Sequence, residues 1–285
     1  MKNHFFISML AAAALLGGLT ACNGKLDKAP RADQVPENAV RITVGIGNPF
    51  SATRSMPLGT EEEQGKFNVG DEIFVETFSS QRATYRFDGT AWTPKEGEYL
   101  LWESDMEHFG AYYPAEYGNE PYHHPTDQSS TEKIAKADIM SVGLNQAKTK
   151  KALHFAMQRK TARLIVEIAG FKSEFPGDAK VENVRFHNKS NASAPQRTYI
   201  PYAKGEGKTG STYTVLVRGD AAYNTISLEV GGKTMTAKLS EITYDSGLSY
   251  TYRLTVGKEK LETTEVTVSD WTGSAIIPGG EAKAN

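Results

Sequence analysis

Cys22 is the one thiol in this 285-residue chain. It directly follows Leu19-Thr20-Ala21, at the end of an apolar run that starts at Phe5, behind the positive charge of Lys2. The run is too short for a comfortable bilayer span and has the anatomy of an export signal. Small residues at that point place a signal cleavage between Ala21 and Cys22. With its one thiol at that boundary, the folded part has no disulfide, no cysteine metal ligand and no cysteine nucleophile. Histidine adds little. His123-His124 is the only cluster, neighbours on an extended segment point to opposite sides, and Pro121 and Pro125 mark a loop, so neither a metal site nor a cofactor is expected. His154, between Leu153 and Phe155, reads as a half-exposed strand residue. Carboxylates crowd at Glu61-Glu62-Glu63 and at Glu103, Asp105 and Glu107. A glycosidase would need two of them facing across a cleft, which spacing does not show, and solvated acidic loops are the simpler reading. No catalytic residue is nominated, and an enzyme is not expected.

Other short motifs are weak. Arg218-Gly219-Asp220 matches an integrin-recognised tripeptide, but a Gly-Asp turn between strands is what a hairpin wants. Asn188-Lys189-Ser190 and Asn191-Ala192-Ser193 fit a glycosylation acceptor pattern, but so short a pattern recurs by chance. Trp92, Trp102 and Trp271 are core candidates first. The formal charge of -2, with signs interspersed, offers no basic stripe for a phosphate backbone, so nucleic acid is excluded as a partner.

The elements that must hold these residues are strands. Residues 22–38 are polar, carry Pro30 and Pro36, and read as a flexible tether. Order is expected from Ala39, where Val40, Ile42, Val44 and Ile46 alternate with polar or small neighbours, as in a strand with one buried face. A long exposed loop comes next, from Asn48 to Gly65. Strand signals then recur at 67–76, 83–87, 99–102 and 108–114, and again from Leu153 through 161–168, 181–186, 213–217, 225–230, 234–239, 249–256 and 265–268. Between them, 117–151 is polar apart from a patch at 138–142, and 156–162 could pass as helix by propensity. The chain is long enough for two cores. The expectation is an all-β protein: signal peptide 1–21, tether 22–38, an N-terminal β-sandwich domain over 39–148 and a C-terminal one over 149–285.

Two resemblances sharpen this. Leu19-Thr20-Ala21-Cys22 resembles the lipobox of bacterial lipoproteins, in which the cysteine receives a diacylglycerol. The motif order along the rest resembles the fimbrillin family of Bacteroidia, the lipoprotein precursors of type V pili. It is carried by Val40 to Ile46 with Thr53-Arg54, Phe67-Asn68-Val69-Gly70-Asp71-Glu72-Ile73, Tyr85 to Trp92, Phe109-Gly110-Ala111-Tyr112-Tyr113-Pro114, Asp138-Ile139-Met140, Leu153-His154-Phe155 and Asp270-Trp271. Met157 departs from it, standing near where family members often carry a histidine.

The resemblance implies two tandem transthyretin-like β-sandwiches and assembly by donor-strand exchange. A precursor carries its own first strand in a groove, a protease cuts behind it, and a neighbour's strand takes its place. Mapped here, the displaced strand is Val40, Ile42, Val44 and Ile46. An arginine-specific protease cuts between Arg54 and Ser55, in an exposed loop of the kind that proteases nick. The C-terminal segment with Val266, Val268, Ile276 and Ile277 is the candidate donor. Implied partners are other fimbrial subunits, the protease, and the outer membrane through the lipid, with the fimbrium as the final location. The alternative is a monomeric surface lipoprotein that binds a glycan or protein ligand through the aromatic loops around Tyr112 to His124.

Overall fold

Period-two alternation predicts short strands along most of the chain, and the computed structural model is built almost wholly from them. It describes residues 35–47, 66–118, 122–188, 196–218, 223–239, 243–257, 261–270 and 275–277. Among these, no helix is long and apolar enough to cross a membrane.

Seven strands form the first sheet: β1 (Ile42–Ile46), β2 (Glu72–Thr77), β3 (Arg82–Phe87), β4 (Trp92–Pro94), β5 (Met106–Tyr113), β6 (Met140–Ala147) and β7 (Leu153–Arg159). Their order is β1-β7-β6-β5-β2-β3-β4. Short connections join β2 to β3, β3 to β4 and β6 to β7, and these pairs, like β5 with β2 and β6, are antiparallel, whereas β1 lies parallel to β7, far from it in sequence. The sheet curls until β1 approaches β4 at the opposite edge, and it encloses one core of Ile73, Tyr85, Trp92, Leu100, Trp102, Phe109 and Phe155.

Ten more strands complete the chain: β8 (Thr161–Phe171), β9 (Val181–Asn188), β10 (Thr198–Tyr199), β11 (Tyr202–Lys204), β12 (Thr212–Arg218), β13 (Tyr223–Val230), β14 (Lys233–Lys238), β15 (Leu248–Val256), β16 (Leu261–Asp270) and β17 (Ala275–Ile277). They make a six-stranded sheet, β11-β12-β8-β15-β16-β17, and a four-stranded one, β10-β9-β13-β14. The inward residues of both, among them Leu164, Val166 and Tyr252 against Phe186, Ile226 and Leu228, share a second core. This is the all-β sandwich architecture that the alternation implied.

The cores change over between Met157 and Ala162. Leu153–Arg159, at the head of the segment read as the C-terminal half, therefore belongs to the first sheet. Two local readings change as well. Tyr99 to Trp102 is no strand and makes a single bridge, Leu101 to Ala39. The patch at 138–142 opens a full strand, β6, whose outward residues Gly143, Asn145 and Ala147 had hidden it.

The connection from β5 to β6 is fastened across the changeover. Its helix α1 (Thr131–Lys136) is capped by the Ser130 hydroxyl, which accepts from the Lys133 amide. Ahead of it, the Gln128 and Ile200 amides donate to the Ile200 and Thr126 carbonyls respectively. The fully buried Gln128 side chain donates to the Leu216 carbonyl at 2.8 Å and accepts from the Leu216 amide at 2.7 Å, standing in for a missing strand neighbour. Behind the helix, buried Asp138 meets Arg159 Nε with both oxygens at 3.1 Å and also accepts from Thr161.

Candidate functional site

The first strand, which the resemblance nominates as the displaced one, is an edge strand of the first sheet. Val40, Ile42 and Ile46 are buried and Val44 partly so, while Arg41 and Thr43 face outward. Each buried aliphatic contributes about 1.5–3 kcal/mol, so the alternation holds this segment in the first core by several kcal/mol. The floor beneath it includes Phe155 and Met157 of β7, both fully buried.

The backbone attachment is uneven along the strand. Over Ile42–Ile46, β1 pairs with β7 in the register Ile42 to Leu153 through Ile46 to Met157, and the bonds Leu153 N to Arg41 O (2.8 Å) and Gly47 N to Met157 O (2.8 Å) close the two ends. On its other side, among the described residues, only the head is held: Val40 N donates to Leu100 O at 2.7 Å and Trp102 N donates to Asn38 O at 2.9 Å. Among the described residues, then, no stretch of the strand has a complete ladder on both edges: one side of the head has the single Ala39–Leu101 bridge, and the β7 ladder on the other side begins at Ile42. Tyr85 braces the same point, its hydroxyl accepting from Leu100 N (3.4 Å) and donating to Val40 O (3.5 Å), and burial pushes its ionisation up to about 12. On the outer face, Thr43 Oγ1 donates to Leu153 O at 3.2 Å and lies 3.1 Å from His154 Nδ1. Gly45 leaves room for that imidazole: a Cβ there would sit 3.2 Å from His154 Cε1.

At the far end of the chain, β16 lies between β15 and β17 in its own sheet, so the candidate donor residues Val266 and Val268 are on a strand with two neighbours. Ile276 and Ile277 are on β17, a three-residue edge strand. Ala21, Cys22, Arg54, Ser55, Glu61 to Glu63, Gly219, Asp220 and Trp271 lie outside the described residues.

The other chemically suggestive residues do not converge. His123 is exposed and His124 buried, as opposite-pointing neighbours require. His124 Nε2 bonds the Ala137 carbonyl at 3.0 Å, and burial pulls its ring down to about 4, so it is neutral at physiological pH. Glu103 and Asp105 are exposed, and Glu107 is buried against the Ser79 and Ser104 hydroxyls. Among the described residues, no three His, Cys, Asp or Glu side chains gather as a metal site. One feature that sequence reasoning missed is half-buried Asp71, raised to about 6 chiefly by desolvation while it accepts from the Asn68 amide and the Tyr113 hydroxyl. Its only sequence signal was a Gly-Asp turn.

No sequence among the curated proteins matches the chain. Its fold is similar to that of a putative cell adhesion protein from Bacteroides uniformis, with 16% identity and a TM-score of 0.56 over 82% of this chain and 100% of the other. It is likewise similar to a putative cell adhesion protein from Bacteroides ovatus, with 14% identity and a TM-score of 0.57 over 86% and 98%. The family model described as fimbrillin-like matches residues 59–271, most of the chain, and the chain therefore belongs to the fimbrillin-like family.

Proposed function

We propose that this chain is a subunit or accessory subunit of a cell-surface fimbria, a structural adhesion protein without catalysis. It is exported, acylated at Cys22 and delivered to the outer membrane, and it assembles with other fimbrial subunits by donor-strand exchange. The observation that carries the proposal is β1, an edge strand whose alternate side chains fill the first core and which precedes, in the sequence, the Pro- and Gly-containing segment with Arg54. A cut between Arg54 and Ser55 by an arginine-specific protease separates β1 from the rest of the chain, and only non-covalent contacts then retain it. Loss of β1 bares the β7 edge and the apolar floor together, and an incoming strand satisfies both.

In this reading the two tandem transthyretin-like sandwiches are the two cores, with the division moved from 148 to the changeover after Met157. The C-terminal donor is limited to the short β17 and the residues beyond it, because β16 already has neighbours on both edges. That favours a tip, anchor or other terminal role over a shaft subunit. The test is incubation of the purified precursor with an arginine-specific protease. The expected outcome is a cut after Arg54 and, on supplying a donor-competent subunit, oligomers that survive mild detergent. A chain that stays intact, or is cut and remains monomeric with that partner, overturns the proposal.

A second reading has its own observation. Tyr112, Tyr117 and Tyr122 form a chain of half-buried rings, edge-on at 5.9 and 5.1 Å, and a partly open aromatic ladder is a surface on which a sugar can lie. Glycan binding by the uncut monomer, lost on replacing Tyr122, would favour it.

A further inference from the structure

At the head of β1 an open cleft of about 770 Å³ lies between the segment Val35 to Arg41 and the β6–β7 hairpin, with Trp102 contributing to its lining. Three exposed cations, Arg41, Lys148 and Lys150, line it, and Glu37 is the one carboxylate among the described lining residues. None of the three cations has a side-chain hydrogen bond or ion pair among the described residues. Elsewhere Arg86 and Lys95 converge on Glu72, and Lys133 holds Asp127. The cleft thus carries three cations against one described carboxylate, an excess of positive charge, beside amide and hydroxyl groups, on Asn38 and Thr149, that can bind neutral oxygens.

We infer that this cleft binds a small carboxylate ligand of saccharide size, and that its occupancy pins the head of β1. The charge selects an anion, and Asn38 and Thr149 suit the hydroxyls of a sugar ring. The pinning comes from the lining itself: one wall is the segment whose Val40 amide bonds Leu100 and whose Asn38 carbonyl accepts from Trp102. A ligand that touches both walls binds only while that segment is seated, so it lowers the frequency with which the head opens. At a ligand concentration ten times Kd, opening through the unliganded state becomes about 11-fold rarer. Where the strand-exchange reading holds, the same ligand delays exchange, a consequence that rests on that reading while the binding and the pinning do not.

The test uses the uncut full chain. Titration calorimetry compares galacturonate with galactose, which share a ring and differ in the carboxylate, against the wild type and the double variant Lys148→Gln, Lys150→Gln. The expected result is binding of galacturonate at least tenfold tighter than of galactose, reduced at least tenfold in the variant. Hydrogen exchange should then show the Val40 and Trp102 amides slowed by saturating galacturonate and unchanged by galactose. No binding, equal binding of the two sugars, or an unaltered variant overturns the site. Binding that leaves both amides exchanging at the same rate overturns the pinning. Absence of cleavage or assembly in the protease experiment counts against strand exchange alone.

Discussion

Asp71 and His124 pull the pH dependence of stability in opposite directions. Asp71 titrates near 6 in the folded chain against 3.8 for the free side chain, so between those values the native state holds more protons than the unfolded one and stability falls as pH rises. Buried Asp138 is pushed the same way by desolvation, against the pull of Arg159. His124 titrates near 4 against 6.5, so here the unfolded state holds more protons and stability falls as pH drops through that window. Asn at position 71 can still accept from the Asn68 amide. Asp71→Asn is therefore expected to stabilise the protein above pH 6, by at most about 3 kcal/mol, and to leave it little changed near pH 4. His124→Gln should flatten the acid side of the profile instead. Urea midpoints between pH 4 and 8 for the wild type and both variants check the two slopes, and parallel profiles for all three would refute the assignment.

Among elements, β1 and the Gln128 clamp make unequal demands on the fold. Ile42→Ala and Ile46→Ala remove methyl groups from the first core and should each cost about 2–4 kcal/mol, measurable by urea denaturation. Gln128→Ala strands the buried amide and carbonyl of Leu216 and should cost about 2–4 kcal/mol although no apolar contact is lost. Alternation made β1, β8 and most of the later strands legible, because their burial is one-sided and regular. It failed on β6, where only Met140 is buried outright, and on Tyr99 to Trp102, where apolar residues are inserted singly into the core. Pairing was not legible at all: the pattern Val40, Ile42, Val44, Ile46 tells which face is buried and not that β7 is the neighbour, or that it runs parallel. Gln128 looked like any polar loop residue, since a side chain that mimics a strand edge has no sequence signature. Of the candidate site, the strand itself was readable, and its one-sided ladder and the cationic cleft were not.

For the whole molecule, the parallel register offers a direct handle on strand release. Thr43 of β1 faces His154 of β7 as a Cα partner on the outer face. Thr43→Cys combined with His154→Cys should form a disulfide across the pair, because the only natural cysteine is Cys22. The oxidised variant, cut by the arginine-specific protease, is expected to retain the β1 fragment and to form no oligomers until a reductant is added, as read on detergent gels. Assembly at the wild-type rate under oxidising conditions would refute release of β1 as the gate. The Gln128 clamp has a mechanical meaning besides. In a fibre under tension, the load would pass from one core to the other through the changeover, where the backbone between Met157 and Ala162 runs alongside the Gln128 bonds to Leu216 and the Ile200 bridge. Those bonds would share the force with the covalent chain and stiffen the joint against stretch.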